Sequence, residues 1–533
     1  MQPANLPAHG IAVAPHALAS NTALAVLRDG GNAIEAMVAA AATIAVAYPH
    51  MNGIGGDSFW LISANTTTGR QVIGVEGCGS APLKLPEGYF EGVQSVLFRG
   101  PKAALTLAGT VSAWERSLEL SRSLLGGQLP LSRLLEDAIA HARNGVPVTA
   151  SQHRSTLSKL PELEQVAGFA ETFLAGGAVP EVGARFRQPR LANTLEHLSR
   201  AGLADFYQGE LARSMADDLS RLGSALALED FQQHRAQTCT PLVLQHSQGL
   251  VYNLPPPTQG LVSLMILGLM DRQPGAQADH LSASYVHSAV EAAKQAFAVR
   301  DRHITDPRHM SVDAASFLEA AHLDTLAARI DPLAAAPWGA GKGPADTVWL
   351  GVIDAQGNAV SMIQSIYHEF GSGIVLPESG VNWQNRGASF SLAPGHINAL
   401  APGKRPFHTL NPALAHLADG RLLAYGSMGG DGQPQNQSAV FTRVATHGLS
   451  AQEAVSAPRW LLGRTWGQAS DSLKLEGRFP ESTVAQLRAL GHEVELLADY
   501  DETCGHAGCL IRYPDGSLQG GSDPRSDGAV AAG

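Results

Sequence analysis

Thr347 stands at an abrupt change of composition. Residues 333–346 (LAAAPWGAGKGPAD) are rich in Ala, Gly and Pro without periodicity, the mark of an exposed and flexible connection. The residues that follow, TVWLGVID, read as a strand. A threonine hydroxyl is a poor nucleophile until a base takes its proton, and a freed α-amine, titrating near about 7.7–8, can be that base from within the same residue. Such an amine exists only once the bond between Asp346 and Thr347 is cut. The same hydroxyl can make the cut by attacking the Asp346 carbonyl, after which water hydrolyses the ester. A threonine at the start of a strand is ordinarily structural, because Thr favours strands. Its neighbours give this one weight.

Downstream, residues 426–432 (GSMGGDG) form a loop with enough glycine for backbone N–H groups to approach a substrate and stabilise an oxyanion, although a turn after a strand is the plainer explanation. Residues 53–57 (GIGGD) look like a phosphate loop but lie between a helix and a strand, the reverse of the strand–loop–helix order that places phosphate on a helix N-terminus. Residues 504–509 (CGHAGC) lack the second ligand pair of a zinc site. Neither a metal nor a cofactor is expected.

The elements that must position Thr347 are legible around it. A turn at residues 355–358 leads into AVSMIQS, so 347–365 reads as a hairpin. Its first strand is apolar at nearly every position from 348 to 353, which suits a sheet covered on both faces. Residues 20–49 read as two helices, the first capped by Ser20 or Asn21 and ended by Gly30–Gly31, the second capped by Asn32. Strands are expected at 58–62, 421–425 and 509–513, and helices at 451–457 and 481–490. From 131 to 326 the pattern is mainly helical, broken at Pro255–Pro257 and at Asp306–Pro307.

Composition narrows the partners. With 37 Lys+Arg against 48 Asp+Glu the chain carries −11 and has no long basic run, which argues against nucleic acid. The N-terminus lacks the charged start and apolar run of a secretory signal, so a cytoplasmic location is the default. The most apolar stretch, 33–47, contains Glu35 and falls short of the roughly 20 residues needed to span a bilayer, so no membrane association is expected. Four cysteines in so long a chain do not make a disulfide scaffold.

Taken in order, LRDGGNAIEAMVAAAATIAVAYPHMNGIGGDSFWLI, residues 108–111 (AGTV), 253–260 (NLPPPTQG), DTVWLGVIDAQGNAVSMIQS, the 426–432 loop and 522–525 (SDPR) resemble the γ-glutamyltranspeptidase family of self-processing hydrolases, over nearly the whole chain. The resemblance implies an α/β fold of four stacked layers, αββα. It also implies cleavage before Thr347 into a large chain, 1–346, and a small chain, 347–533, which stay together as one domain and as a heterodimer. Thr347 matches the nucleophile, Gly429 and Gly430 the oxyanion-hole pair, and Ser365 a hydroxyl that assists the nucleophile.

The departures redirect the substrate. The family's arginine for the substrate α-carboxylate is absent from residues 76–82 (EGCGSAP), and Ser389 stands where a carboxylate would hold the α-amine. Tyr367 replaces an Asn, and His408–Thr409 replace paired serines at the substrate. Loss of two charged contacts, each worth roughly 1.5–3 kcal/mol, weakens the case for a γ-glutamyl substrate. The blocks at 365–371, 383–387, 404–412 and 428–435 resemble the acylase-like branch of the family. They imply a small-molecule acidic amide as substrate, with oxamate the specific expectation. Its carboxylate adjoins the scissile amide, so a cation is needed near the nucleophile. Arg386 or Arg405 can supply a bidentate fork, and Tyr367 can close a small pocket. Ordinary alternatives are a surface ion pair for Arg386, a structural cation for Arg405, and structural imidazoles for His368 and His408. Two other functions stay open: γ-glutamyl transfer or β-lactam side-chain deacylation on the same machinery, and non-catalytic binding on an inherited scaffold.

Overall fold

The computed structural model describes residues 8–339, 346–463 and 470–533. At its centre lies the hairpin of Asp346–Asp354 and Ala359–Tyr367. Alternate residues serve different cores: Val348, Leu350 and Val352 pack on the helical side, while Trp349 and Ile353 pack against a second sheet. Both faces are covered, as the near-continuous apolar run requires. Asp354 ties the hairpin to its neighbours, accepting hydrogen bonds from Asn358 N (2.9 Å), Asn358 Nδ2 (2.8 Å) and Ala33 N (3.0 Å).

Ala33 opens the helix Ala33–Ala47, which Asn32 and Glu35 start with a reciprocal capping box. Every residue of this helix is buried, since it lies flat on the first sheet with other helices above it. The preceding helix begins earlier than the sequence suggests, at Ala17, with His16 Nδ1 accepting from Leu18 N at 3.2 Å. Ser20 does not cap it because its hydroxyl donates to Ala529 O on the edge strand, 2.7 Å away.

The first sheet has seven strands. Gly10–Ala14 and then Ala529–Ala532 flank one side of the hairpin, and Asp57–Thr66, Gly69–Gly77 and Gln237–Cys239 flank the other. The second sheet has six, in the order Leu518–Ser522, Ala507–Arg512, Leu422–Ser427, Ala413–Leu417, Gly249–Asn253, Leu242–His246. The sheets face each other across a core that includes Phe59, Leu61, Trp349, Ile363, Leu414 and Leu510. Helices Gly260–Met270 and Gly432–Ala445 cover the outer face of the second sheet, and Ala283–His303 packs on them. The result is the expected four-layer αββα sandwich.

Two expectations need correction. The 131–326 region is not helical throughout: residues 237–253 give one strand to the first sheet and a hairpin to the second. The alternating burial of Leu242–His246 is the period-2 signal that marks it. The connection before Thr347 is also not loose along its whole length. Ala335 N donates to Leu490 O (2.7 Å), Lys294 Nζ to Ala336 O (2.6 Å), and the Trp338 ring lies 5.7 Å from that of Phe297. Residues 340–345 of the expected connection lie outside the described residues.

The SDPR motif closes the C-terminal end with a buried charge network. Asp523 pairs with Arg459 and with Arg525 (2.9 Å), Arg525 reaches Glu476 (2.6 Å), and Asp523 Oδ2 accepts from Ala507 N (2.6 Å). These bonds fix the strand start next to His506, whose carbonyl accepts from Met428 N at 3.0 Å, at the edge of the glycine loop. No helix among the described residues is long and apolar enough to cross a membrane.

Burial pulls several imidazoles far below their ordinary range: His50 and His492 to about 3, His234 and His416 to about 4. The unfolded chain binds protons at these positions near about pH 6.5, whereas the folded chain does not until well below it. Their contribution is therefore complete above about pH 6.5 and is lost progressively as pH falls toward about 3. Denaturant titrations are expected to give a lower midpoint at pH 5 than at pH 7.5; an equal or higher midpoint at pH 5 contradicts this.

Candidate active site

Strand register brings the first residues together. Ile363 pairs with Trp349, Gln364 with Val348 and Tyr367 with Asp346, so the register breaks between Gln364 and Tyr367 and leaves Ser365 and Ile366 opposite Thr347. On the other side Ser365 pairs with Asp57. Paired residues share a face of a sheet, and this face is the one that carries Trp349, Ile363 and Phe59 toward the second sheet. Thr347, Ser365 and Asp57 therefore stand in a row at one end of three adjacent strands, all buried.

The register break does further work. Tyr367 has φ +83°, a conformation that strains a bulky residue by roughly 1–3 kcal/mol. In that turn its N–H donates to Ser365 Oγ at 2.8 Å, while its ring lies beneath the Arg386 guanidinium, 3.7 Å from ring centroid to Cζ. Outward, the His368 ring lies tilted against Tyr367 at 4.3 Å and stacks on the half-exposed Phe98 at 4.8 Å.

Arg386 is not on the surface. It is 0 % exposed, and burial pulls its guanidinium down to about 10. Its Nη2 donates to Thr409 Oγ1 at 3.2 Å, whereas Nε and Nη1 have no hydrogen-bond partner among the described residues. A chain of amide contacts links it to Thr347. Thr409 O accepts from Asn411 Nδ2 (2.8 Å), the same amide donates to Gln433 Oε1 (3.1 Å), and Gln433 Nε2 faces Thr347 Oγ1 at 3.4 Å.

Gly429 and Gly430 bend the loop between the strand Leu422–Ser427 and the helix Gly432–Ala445, with φ +117° and +54°. Gln259, from the NLPPPTQG block, fastens this loop to the Arg386 side by donating to both Gly430 O (2.8 Å) and Thr409 O (2.9 Å). Arg300 holds Asp431 at 2.8 Å. Two successive glycines with positive φ thus turn the backbone immediately before the N-terminus of that helix.

Asp57 is the residue that sequence reasoning missed. Its Oδ1 accepts from Gly79 N and Gly109 N, both at 3.0 Å, and from Gln384 Nε2 at 3.1 Å; its Oδ2 takes His408 Nε2 at 2.9 Å. Burial pushes its carboxyl up to about 7 against these donors and Arg386, and burial with Arg386 holds His408 well below the ordinary imidazole range. The available signal was a carboxylate opening an apolar strand directly after a glycine loop. Gln433 carried no such signal.

Arg405 does not join Arg386. It is committed to Glu76 (2.9 Å) and Asp306 (3.5 Å) and lines a separate cavity of about 340 Å³ with Cys78 and Arg308. Among the described residues two groups have metal-ligand proximity, Asp57–Cys78–His408 and His287–Glu291–His492. Each has a cation of its own at hand, Arg386 near the first and Lys294, 2.6 Å from Glu291, in the second. The 504–509 cysteines do not form such a group with His506.

This geometry has known counterparts. The Gamma-glutamyltranspeptidase family profile matches residues 19–533. The chain belongs to the γ-glutamyltranspeptidase family. Among its relatives, the oxamate amidohydrolase proenzyme of Klebsiella pneumoniae is 58% identical over 531 residues, covering 100% of each chain. A glutathione hydrolase-like proenzyme of Bacillus subtilis, YwrD, is 39% identical over 97% of each. Among solved structures, cephalosporin acylase from Bacillus halodurans superposes with TM-score 0.88 at 32% identity, covering 99% of this chain and 96% of the other. The αββα sandwich is accordingly the N-terminal nucleophile hydrolase fold of this family.

A methyl group at Gly429 would meet nothing closer than Gly505 Cα at 3.9 Å, so the constraint there is backbone conformation and not space. Gly429→Ala is expected to fold but to tilt the 429–430 amides, lowering hydrolytic turnover by about 10²-fold, the usual effect of losing an oxyanion donor. Turnover within about threefold of wild type would remove this loop from the chemistry.

Proposed function

We propose that the chain cuts itself between Asp346 and Thr347 and then hydrolyses a small acidic amide through the new N-terminal threonine, with oxamate as substrate. In the first step Thr347 Oγ attacks the Asp346 carbonyl, the peptide C–N bond breaks to leave an ester and a free α-amine, and water cleaves the ester to an Asp346 carboxylate. In the second the α-amine takes the Thr347 hydroxyl proton as Oγ attacks the amide carbonyl. The N–H groups of Gly429 and Gly430 receive the oxyanion, and Ser365 holds the nucleophile in line. Breakdown expels ammonia with the transferred proton. Water then attacks the acyl ester, releasing the diacid and regenerating Thr347.

The observation that carries the substrate reading is the buried guanidinium of Arg386, with two N–H-bearing nitrogens uncommitted and one face seated on Tyr367. A cation held in that way calls for an anion, and a planar carboxylate meets its fork in bidentate fashion. Thr347 and Arg386 are both buried, so an acid bound between them is shielded from water and its charge is felt strongly. The 58% identity to an oxamate amidohydrolase proenzyme supports the same choice. The γ-glutamyl alternative lacks an anchor, because Gly77, Cys78 and Gly79 occupy the stretch where the family arginine is expected.

Purified protein is expected to release ammonia and oxalate from oxamate. Arg386→Gln should lower kcat/KM for oxamate by about 10–100-fold, the loss of one charge-assisted interaction of roughly 1.5–3 kcal/mol, while still yielding two chains. No ammonia from oxamate together with turnover of a γ-glutamyl anilide would transfer the assignment to the second reading.

A further inference from the structure

Asp57 and Arg386 are opposite charges, both buried and close enough for each to shift the other's ionisation, yet they form no ion pair with each other. In a low-dielectric interior two such groups attract strongly and would ordinarily close on one another. Residues 408 and 409 stand against that closure. His408 Nε2 occupies Asp57 Oδ2 at 2.9 Å, and the Thr409 hydroxyl takes Arg386 Nη2 at 3.2 Å. Asp57 Oδ1 is already saturated by Gly79 N, Gly109 N and Gln384 Nε2. The residue is clamped in place. Its backbone N–H donates to Pro257 O (2.8 Å), its backbone carbonyl accepts from Gln259 N (2.9 Å), and its ring meets the Phe59 ring edge-on at 4.6 Å.

We propose that His408 is a positioning residue: by occupying the Asp57 carboxylate it prevents an internal Asp57–Arg386 ion pair and keeps Arg386 available to the carboxylate of the substrate. This assignment rests on the reading of Arg386 as the carboxylate receptor. It makes the histidine a spacer between two charges, with no contact to the reacting atoms, and explains why an imidazole that the N-terminal threonine mechanism does not need is held so firmly. His408 Nε2 faces Asp57 Oδ2, and burial beside Arg386 holds the imidazole well below its ordinary range, so His408 is neutral and Arg386 remains the positive group.

The test is a double-mutant cycle read as KM and kcat for oxamate in the processed enzyme. His408→Ala removes the spacer and should raise KM about tenfold or more while kcat changes less than about threefold, a coupling within the range measured for groups in contact. His408→Gln keeps an N–H donor near the Nε2 position and should bring KM back to within about threefold of wild type. Asp57→Asn removes the competing anion, so adding it to His408→Ala should lower KM relative to His408→Ala alone. If His408→Ala does not accumulate as two folded chains, His408→Asn, whose amide stops short of Asp57, takes its place against His408→Gln. Losses confined to kcat, losses that multiply in the double variant, or failure of His408→Gln to rescue would overturn the assignment while leaving Arg386 as receptor. A wild type that releases no ammonia from oxamate would instead overturn the substrate reading, and this assignment with it.

Discussion

A guanidinium buried without an anion is the constraint around which this site is organised. Removing an ion from water costs several kcal/mol even after relaxation, and Arg386 has no carboxylate partner among the described residues to offset it. What it has instead is partial compensation: the π-face of Tyr367, the hydroxyl of Thr409 and the nearby field of Asp57. Each of these depends on a larger feature. Tyr367 is aimed by the strained turn that ends the central hairpin, Thr409 is held by Gln259 and Asn411, and Asp57 is fixed by the backbone amides of two separate loops. The stability given up at this point is the kind that a carboxylate ligand returns on binding.

The two-sheet architecture explains how residues so distant in sequence arrive together. Register across three strands sets Thr347, Ser365 and Asp57 side by side, and the second sheet delivers the glycine loop from Leu422–Ser427 to the same end. Gly426 lies so close to the Trp349 indole that a methyl group there would sit 2.1 Å from a ring carbon, which lets the two sheets approach near Thr347. The SDPR network then holds the Ala507 strand against that loop. Thus the proposed nucleophile, its assisting hydroxyl and its oxyanion donors rest on rigid elements, as a preorganised site requires.

Local signals made much of this legible in the sequence. The hairpin, the capped Ala33–Ala47 helix and the glycine loop each carry their information within about ten to twenty residues, where periodicity, caps and turn residues act. Arg386 was legible as a candidate cation, but its burial was not, because that depends on Tyr367 and Thr409 folding over it. Asp57 escaped notice for a related reason: its partner His408 lies 351 residues away, and nothing local distinguishes a carboxylate at a strand start from a surface one. The hairpin at 242–253 was hidden by the helical pattern on either side of it. Arg405, similar in type to Arg386 and near the same block, differs only through Glu76 and Asp306, which the fold brings to it.

The central claim is that one residue, Thr347, both cuts the chain and carries out the later hydrolysis. Intact-mass measurement of freshly purified wild type and Thr347→Ala tests it most directly. Two masses, corresponding to residues 1–346 and 347–533, are expected for wild type and a single uncut mass for the variant. A wild type that remains one chain while hydrolysing its substrate, or a variant that still divides before residue 347, would contradict it.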